Sequence, residues 1–171
     1  MEHVPDRQVD EALDAQLRRL LTTCFPGPMF LAKRYNAELP AHRWIVRDGP
    51  DRLVAHAALH DKQVGTGVGD IRIGGVAEVC VHPDHRGRGT VRSLLDAVHA
   101  WILEARIPAA LLFGKPEVYG SSGYRTVPNP FRFQDPAAGG WVCRPVSYAM
   151  VRCFGSATWP EGVIDLRCPL F

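Results

Sequence analysis

At 171 residues, with 46% hydrophobic and 22% charged side chains, the chain has a globular composition and length enough for one domain with a proper core. Its net charge of +2 is too small to draw it to nucleic acid or a membrane surface. It has no apolar run of about 18 residues to cross a bilayer and no signal-peptide core at its polar N-terminus. The five cysteines (Cys24, Cys80, Cys143, Cys153 and Cys168) are odd in number and lack C-x-x-C spacing. That argues against zinc and for reduced thiols in the cytoplasm. No repeat or linker divides the sequence, so residues 1–171 read as a single domain.

Residues 8–22 carry Val9, Leu13, Leu17, Leu20 and Leu21 at helical spacing, with Asp10, Glu11, Asp14, Arg18 and Arg19 mostly on the other face. Pro26 and Pro28 end that helix. Residues 27–42, with Met29, Phe30, Leu31 and Tyr35 among Pro and Gly, read as a loop holding one helical turn. Residues 44–47 form a strand, 48–51 a hairpin turn and 53–59 a second strand. His56 and His60 share one face of it, as a base or acceptor contact on one view and as satisfied polar groups on the other. Residues 62–70 read as a Gly-rich connection. A central strand runs from Ile71 to Val81, with Gly74 and Gly75 marking a bulge or a close backbone approach.

Pro83 and Asp84 stop that strand, and His85, Arg86, Gly87, Arg88, Gly89 and Thr90 lead into an amphipathic helix with Val91, Leu94, Leu95, Val98 and Ile102 on one face. A glycine-bearing loop opening a helix is an anion site. The first-turn amides are unpaired, the dipole favours negative charge, and Arg86 and Arg88 add cationic donors. It is neither a dinucleotide fingerprint nor a Walker loop, because it has two glycines and no Gly-Lys-Ser/Thr. Residues 109–113 form a buried strand of the parallel type. Tyr119, Gly123 and Tyr124 follow in a short helical segment. Residues 126–140 read as a loop with a short strand at Phe131 and Phe133, residues 146–152 as a late strand, and Trp159, Pro160 and Gly162 stand in the tail.

The strand, loop and helix of residues 81–95 resemble the acetyl-CoA motif of the GNAT acetyltransferase superfamily, Arg/Gln-x-x-Gly-x-Gly/Ala. Arg86 and Gly89 match it, and Val91 stands where the family has Gly or Ala. Tyr119 four residues before Gly123-Tyr124 resembles the same family's Tyr-x-x-x-Gly-aromatic segment. The resemblance covers roughly residues 44–166. It implies an α/β (α+β) fold with a mixed, mostly antiparallel central sheet, splayed at the cofactor strand and flanked by helices. It implies an acetyl-CoA-dependent N-acetyltransferase with no metal, acting on a small-molecule amine and not on nucleic acid or membrane, and pairing into homodimers as many members do. Val79, Cys80 and Val81 would line the pantetheine arm, and the amides of Arg86, Gly87, Arg88, Gly89, Thr90 and Val91 the pyrophosphate. Tyr119 would protonate the leaving thiolate, and an N–H near Val79 would hold the oxyanion. Glu78 is the first choice of base. Strand alternation, however, puts it one residue past the family position, where this chain has Ala77. His82, His56 and the carboxylate of Phe171 remain alternatives. The Trp-Pro-x-Gly tail and the start of the cofactor helix resemble nodulation N-acyltransferases and aminoglycoside 2′-N-acetyltransferases, which implies an aminoglycoside acceptor and antibiotic resistance. An acyl-CoA-binding regulatory module without chemistry, and a plain phosphate-binding module, are the other classes. Tyr119 speaks against both.

Overall fold

The structure is a computed structural model describing residues 1–171. The chain divides into two compact units, one of Met1–His60 and Val76–Ala100, the other of Asp61–Gly75 and Trp101–Phe171.

The first unit opens with strand β1 (Glu2–Pro5), followed by helix α1 (Glu11–Cys24). The helix begins three residues later than its apolar period suggests, because the Asp10 carboxylate accepts the Leu13 N–H at 2.8 Å and so caps the first turn. Such a cap contributes about 1 kcal/mol. Leu13, Leu17, Leu20 and Leu21 are buried along one stripe, packed with Val4, Phe30, Ile45, Leu53 and Cys80. At about 2 kcal/mol per buried leucine, this face decides where α1 lies. Residues 25–41 form a loop with no helix, and within it a single turn is closed by the Leu31 amide donating to the Pro28 carbonyl at 3.3 Å, in line with the sequence expectation. Ion pairs also hold the loop, from Arg34 to Asp6 at 2.6 Å and to Asp14 at 2.9 Å.

Strand β2 (His42–Arg47) pairs antiparallel with β1 and with β3 (Leu53–Thr66). Strand β4 (Gly69–Val81) ends in this unit, and helix α2 (Thr90–Glu104) starts there. Strand β1 escaped the sequence because its four residues are mostly exposed and show no alternation.

In the second unit β3 and β4 are longer than expected. The Gly-rich stretch is no separate connection but the tip of their hairpin, closed by Thr66 Oγ1 donating to the Gly69 carbonyl at 2.7 Å. The remaining strands are β5 (Ala109–Phe113), β6 (Arg125–Thr126), β7 (Pro130–Asp135), β8 (Gly140–Pro145), β9 (Ala149–Cys153) and β10 (Ile164–Asp165). Their hydrogen-bonded order is β6-β9-β5-β4-β3-β10-β7-β8. Pairing is antiparallel except for β4 with β5 and β10 with β7, so this is a mixed, mostly antiparallel sheet. The parallel pair covers only Ile73↔Ala109, Gly74↔Ala110 and Gly75↔Leu111. Strand β8 was not legible because most of its side chains are exposed. Its cross-strand contacts are cationic, with Arg132 over the Trp141 ring at 4.5 Å and Arg144 over Phe133 at 5.3 Å.

Candidate active site

The loop after β4 is built by local hydrogen bonds. His82 donates its amide to the Val54 carbonyl at 2.8 Å, and Pro83–His85 form a 3-10 turn. The His82 ring accepts the Asp84 amide at 3.4 Å, which commits this candidate base to capping the turn. Arg86 Nε donates to the Val81 carbonyl at 3.1 Å, tying the loop back to the strand it left. Gly87 and Gly89 have φ of 75° and 73°, where a side chain would be strained. The chain then enters α2, whose first-turn amides have no helical carbonyl to bind. Val81, His85, Arg86, Gly87, Gly89, Thr90 and Val91 surround an open hollow of about 140 Å³. Exposed arginines, left-handed glycines and a 15-residue helix pointing its N-terminus at that hollow make an anion cradle. Val91 lines it without closing it. Val79, Cys80 and Val81 occupy the end of β4, beyond the three residues that pair with β5. The Val79 side chain is half-buried, and those of Cys80 and Val81 are buried.

Glu78 departs from the strand. Its φ is 53°, the left-handed region, which costs about 1–2 kcal/mol for a non-glycine residue. A bulge at Gly74 and Gly75 is not found, since those glycines keep regular register with β5, and the irregularity falls here; a close approach is met at Gly75, which lies under the Phe171 ring. Alternation is broken, so Ala77 and Glu78 are both turned inward, and the Glu78 side chain is 4% exposed. One carboxylate oxygen accepts the Asn36 amide at 2.8 Å, and the other accepts Arg43 Nη1 at 3.2 Å. Burial pushes the Glu78 carboxyl up from its ordinary value, and the Arg43 charge only partly opposes this.

Arg43 is fully buried and was missed by sequence reasoning, which began this strand at Trp44. An arginine directly before the apolar run Trp44-Ile45-Val46 was the available signal. Its Nε donates to Asp6 at 2.5 Å, and its Nη1 also meets His56 Nε2 at 3.1 Å. Its Nη2 is buried with no partner. His56 Nδ1 lies 3.0 Å from the Glu78 carbonyl. A carbonyl only accepts and a guanidinium only donates, so these contacts put the proton on Nδ1 and the lone pair of Nε2 on Arg43. Burial, aided by the Arg43 charge, brings His56 down to about 3. Neutral, with both nitrogens engaged, His56 serves as a brace for the Glu78 backbone. Cys24, at the end of α1, packs against the cluster that holds Cys80.

In the second unit Tyr119 closes the short helix α3 (Pro116–Tyr119), its amide donating to the Lys115 carbonyl at 3.2 Å. The ring lies across Gly114 so closely that a Cβ there would clash with it. Tyr124 packs edge-on at 6.2 Å and is buried, while Tyr119 is half-exposed. Phe171 lays its ring on Gly75 and 5.4 Å from Phe113. The Trp-Pro-x-Gly tail has a structural explanation. Trp159 donates its indole N–H to Asn129 at 2.9 Å, and the Asn129 amide donates to the carbonyls of Pro160 and Gly162 at 3.0 and 2.7 Å.

Comparison with known proteins gives the family. Residues 7–127 match the model of the acetyltransferase (GNAT) domain. No curated protein matches the chain. Among solved structures, a GNAT acetyltransferase from Brucella melitensis in complex with acetyl-CoA is 16% identical, with a TM-score of 0.63, over 95% of this chain and 93% of that one. The GNAT N-acetyltransferase YhbS of Escherichia coli in complex with CoA is 17% identical, with a TM-score of 0.60, over 90% and 82%. An acyl-CoA N-acyltransferase from Pseudomonas aeruginosa is 14% identical, with a TM-score of 0.58, over 89% and 97%. At these identities the likeness is one of fold, and the aminoglycoside and nodulation branch finds no support in it. The chain belongs to the GNAT acetyltransferase family, and is thereby an N-acyltransferase with acetyl-CoA as its cosubstrate.

Proposed function

We propose that residues 1–171 form one cytoplasmic acyltransferase domain that moves the acetyl group of acetyl-CoA to a primary amine of a small molecule. The observation that carries this is the cradle of residues 86–91 at the head of α2. Its amides, with Arg86 and Arg88, take the pyrophosphate, and Val79, Cys80 and Val81 take the pantetheine arm by strand-like pairing. The amine nitrogen attacks the thioester carbonyl carbon directly, and the C–S bond breaks with no acyl-enzyme. The oxyanion is held by the Val79 N–H. The Tyr119 hydroxyl gives its proton to the leaving thiolate.

Glu78 receives the ammonium proton through water, since both of its oxygens already accept hydrogen bonds. Its raised proton affinity brings it nearer to that of an amine-accepting base at neutral pH. An aminoglycoside remains the first acceptor to try, on the sequence resemblance alone, and a homodimer the expected assembly. One observation favours a second reading, a module that binds acyl-CoA without turnover: the first-choice base is buried and ion-paired.

The test is thiol release from acetyl-CoA against a panel of amines that includes aminoglycosides. Turnover on one amine class, slowed about 100-fold or more in Tyr119→Phe, supports the enzyme. Tight binding without release on any amine supports the module.

A further inference from the structure

Successive residues at the end of β5 look to opposite faces of the sheet. A Cβ on Gly114 would meet the Tyr119 ring and the Leu112 side chain, so these share one face. Phe113 belongs to the other. Its ring meets those of Phe171 at 5.4 Å, Phe131 at 5.8 Å and Tyr148 at 6.2 Å, each edge-on. Phe131 is buried, Phe113 and Phe171 are half-buried, and Tyr148 is 48% exposed. The rings are held in place by their backbones. Gly75, with no side chain, lets Phe171 lie against β4, and the Gly114 amide donates to the Tyr148 carbonyl at 2.8 Å. A fixed aromatic surface, open on its Tyr148 side, therefore lies across the strand end from Tyr119. The charge beside it is positive. Lys62 carries its Nζ 5.6 Å from the centre of the Phe171 ring and donates to Cys168 Sγ at 2.8 Å. Asp61, next to it in β3, accepts two hydrogen bonds from Arg72 at 2.7 and 2.6 Å, which balances its charge. Such a surface attracts a planar ring, edge to face, beyond what burial alone contributes. A second ammonium would meet Lys62 in a partly desolvated setting, where like charges repel more strongly than in water.

We propose that the acceptor is a primary monoamine carrying an aromatic ring, with that ring packed on Phe113, Tyr148 and Phe171 and the nitrogen directed to the thioester from the face opposite Tyr119. This rests on the acetyl-transfer reading above and names the acceptor class for it. Opposite faces suit the chemistry. The nitrogen forms its bond to the carbonyl carbon from one side. The C–S bond breaks, its electron pair goes to sulfur, and the Tyr119 proton neutralises the thiolate on the other side. The proton lost by the nitrogen passes through water to Glu78. An aminoglycoside, with several ammonium groups and no aromatic ring, is disfavoured on both counts.

The test uses the full chain, with thiol release and calorimetry as readouts. Phenethylamine serves as the aromatic monoamine, and putrescine and kanamycin as the polycations. The kcat/KM for phenethylamine is expected to exceed that for either polycation about tenfold or more. Tyr148→Ala should weaken phenethylamine about fivefold in KM and in Kd. Its acetyl-CoA affinity should stay within about twofold, which also shows that the variant folds. Lys62→Met should narrow the preference about fivefold by raising kcat/KM for putrescine. Equal or higher kcat/KM for putrescine or kanamycin in the wild type overturns the aromatic acceptor and leaves the acetyl-transfer reading standing. Phenethylamine binding that Tyr148→Ala weakens, with no turnover on any amine, supports the aromatic surface and overturns the transfer reading instead. Absence of phenethylamine binding, or an affinity that Tyr148→Ala does not move, overturns the proposal whatever the turnover.

Discussion

His56 and Glu78, neighbours in one buried cluster, titrate in opposite senses. His56 is held neutral, its folded-state value about 3 against 6.5 unfolded. A depressed folded value means that its stabilising contribution is complete above 6.5 and is lost as pH falls from there toward 3. At about 1.4 kcal/mol per unit, the loss reaches about 2 kcal/mol by about pH 5. Glu78 has the other sign. Its raised folded value means a contribution present at low pH and lost as pH rises, so on acidification it offsets part of the His56 loss. In His56→Gln the His56 loss is absent. The gap in denaturant stability between wild type and variant is therefore expected to shift by about 2 kcal/mol in favour of the variant between about pH 6.5 and about pH 5. Parallel curves would contradict this.

Tyr119 offers a second test of the same kind. Gly114→Ala puts a Cβ where the ring now lies, so it is expected to slow acetyl transfer while leaving acetyl-CoA affinity within about threefold. A fall in affinity alone, at unchanged turnover, would argue against a chemical role for this ring. At this scale Tyr119, Arg86 and Gly89 were legible because their chemistry lies in identity and spacing. Arg43 and the conformation of Glu78 were not. A left-handed residue in a strand and an arginine inside a core both depend on partners far away in sequence, Asp6 and Asn36 among them.

Among the elements, β4 carries most of the consequences. It pairs with β5 over three residues, then turns at Glu78 and delivers the loop. Gly75, the last of the three, lies under the Phe171 ring, where an added Cβ would come within 2.6 Å of it. Gly75→Ala is expected to destabilise the protein by about 1–3 kcal/mol in urea denaturation through overpacking. Combining it with Phe171→Leu should recover part of that loss, and strict additivity of the two changes would contradict the contact. Further along, Gly89→Ala meets open space and is strained only through its φ. About 1 kcal/mol of stability should go, together with about tenfold in acetyl-CoA affinity, as the loop loses its shape.

The long periodic elements were legible: α1, α2, the hydrophobic strand β5 and the central strand. Short or exposed ones were not. Strand β1 has four residues, β8 is mostly solvated, and the hairpin tip is built from glycines that carry no alternation. These strands exist through pairing, which a local pattern does not record.

For the whole molecule, the family match over residues 7–127 includes the cradle and Tyr119, and it stops before β7, β8, β9 and β10. The Trp-Pro-x-Gly tail, which suggested a branch, is a clamp on Asn129 and so has a use in folding that needs no shared substrate.

Calorimetric titration of the wild-type chain with acetyl-CoA, alongside Gly89→Ala, tests the central claim most directly. One site per chain, weakened about tenfold in the variant, is the expected result. An absence of binding by a folded wild-type protein would contradict the assignment of residues 86–91 as the cofactor cradle.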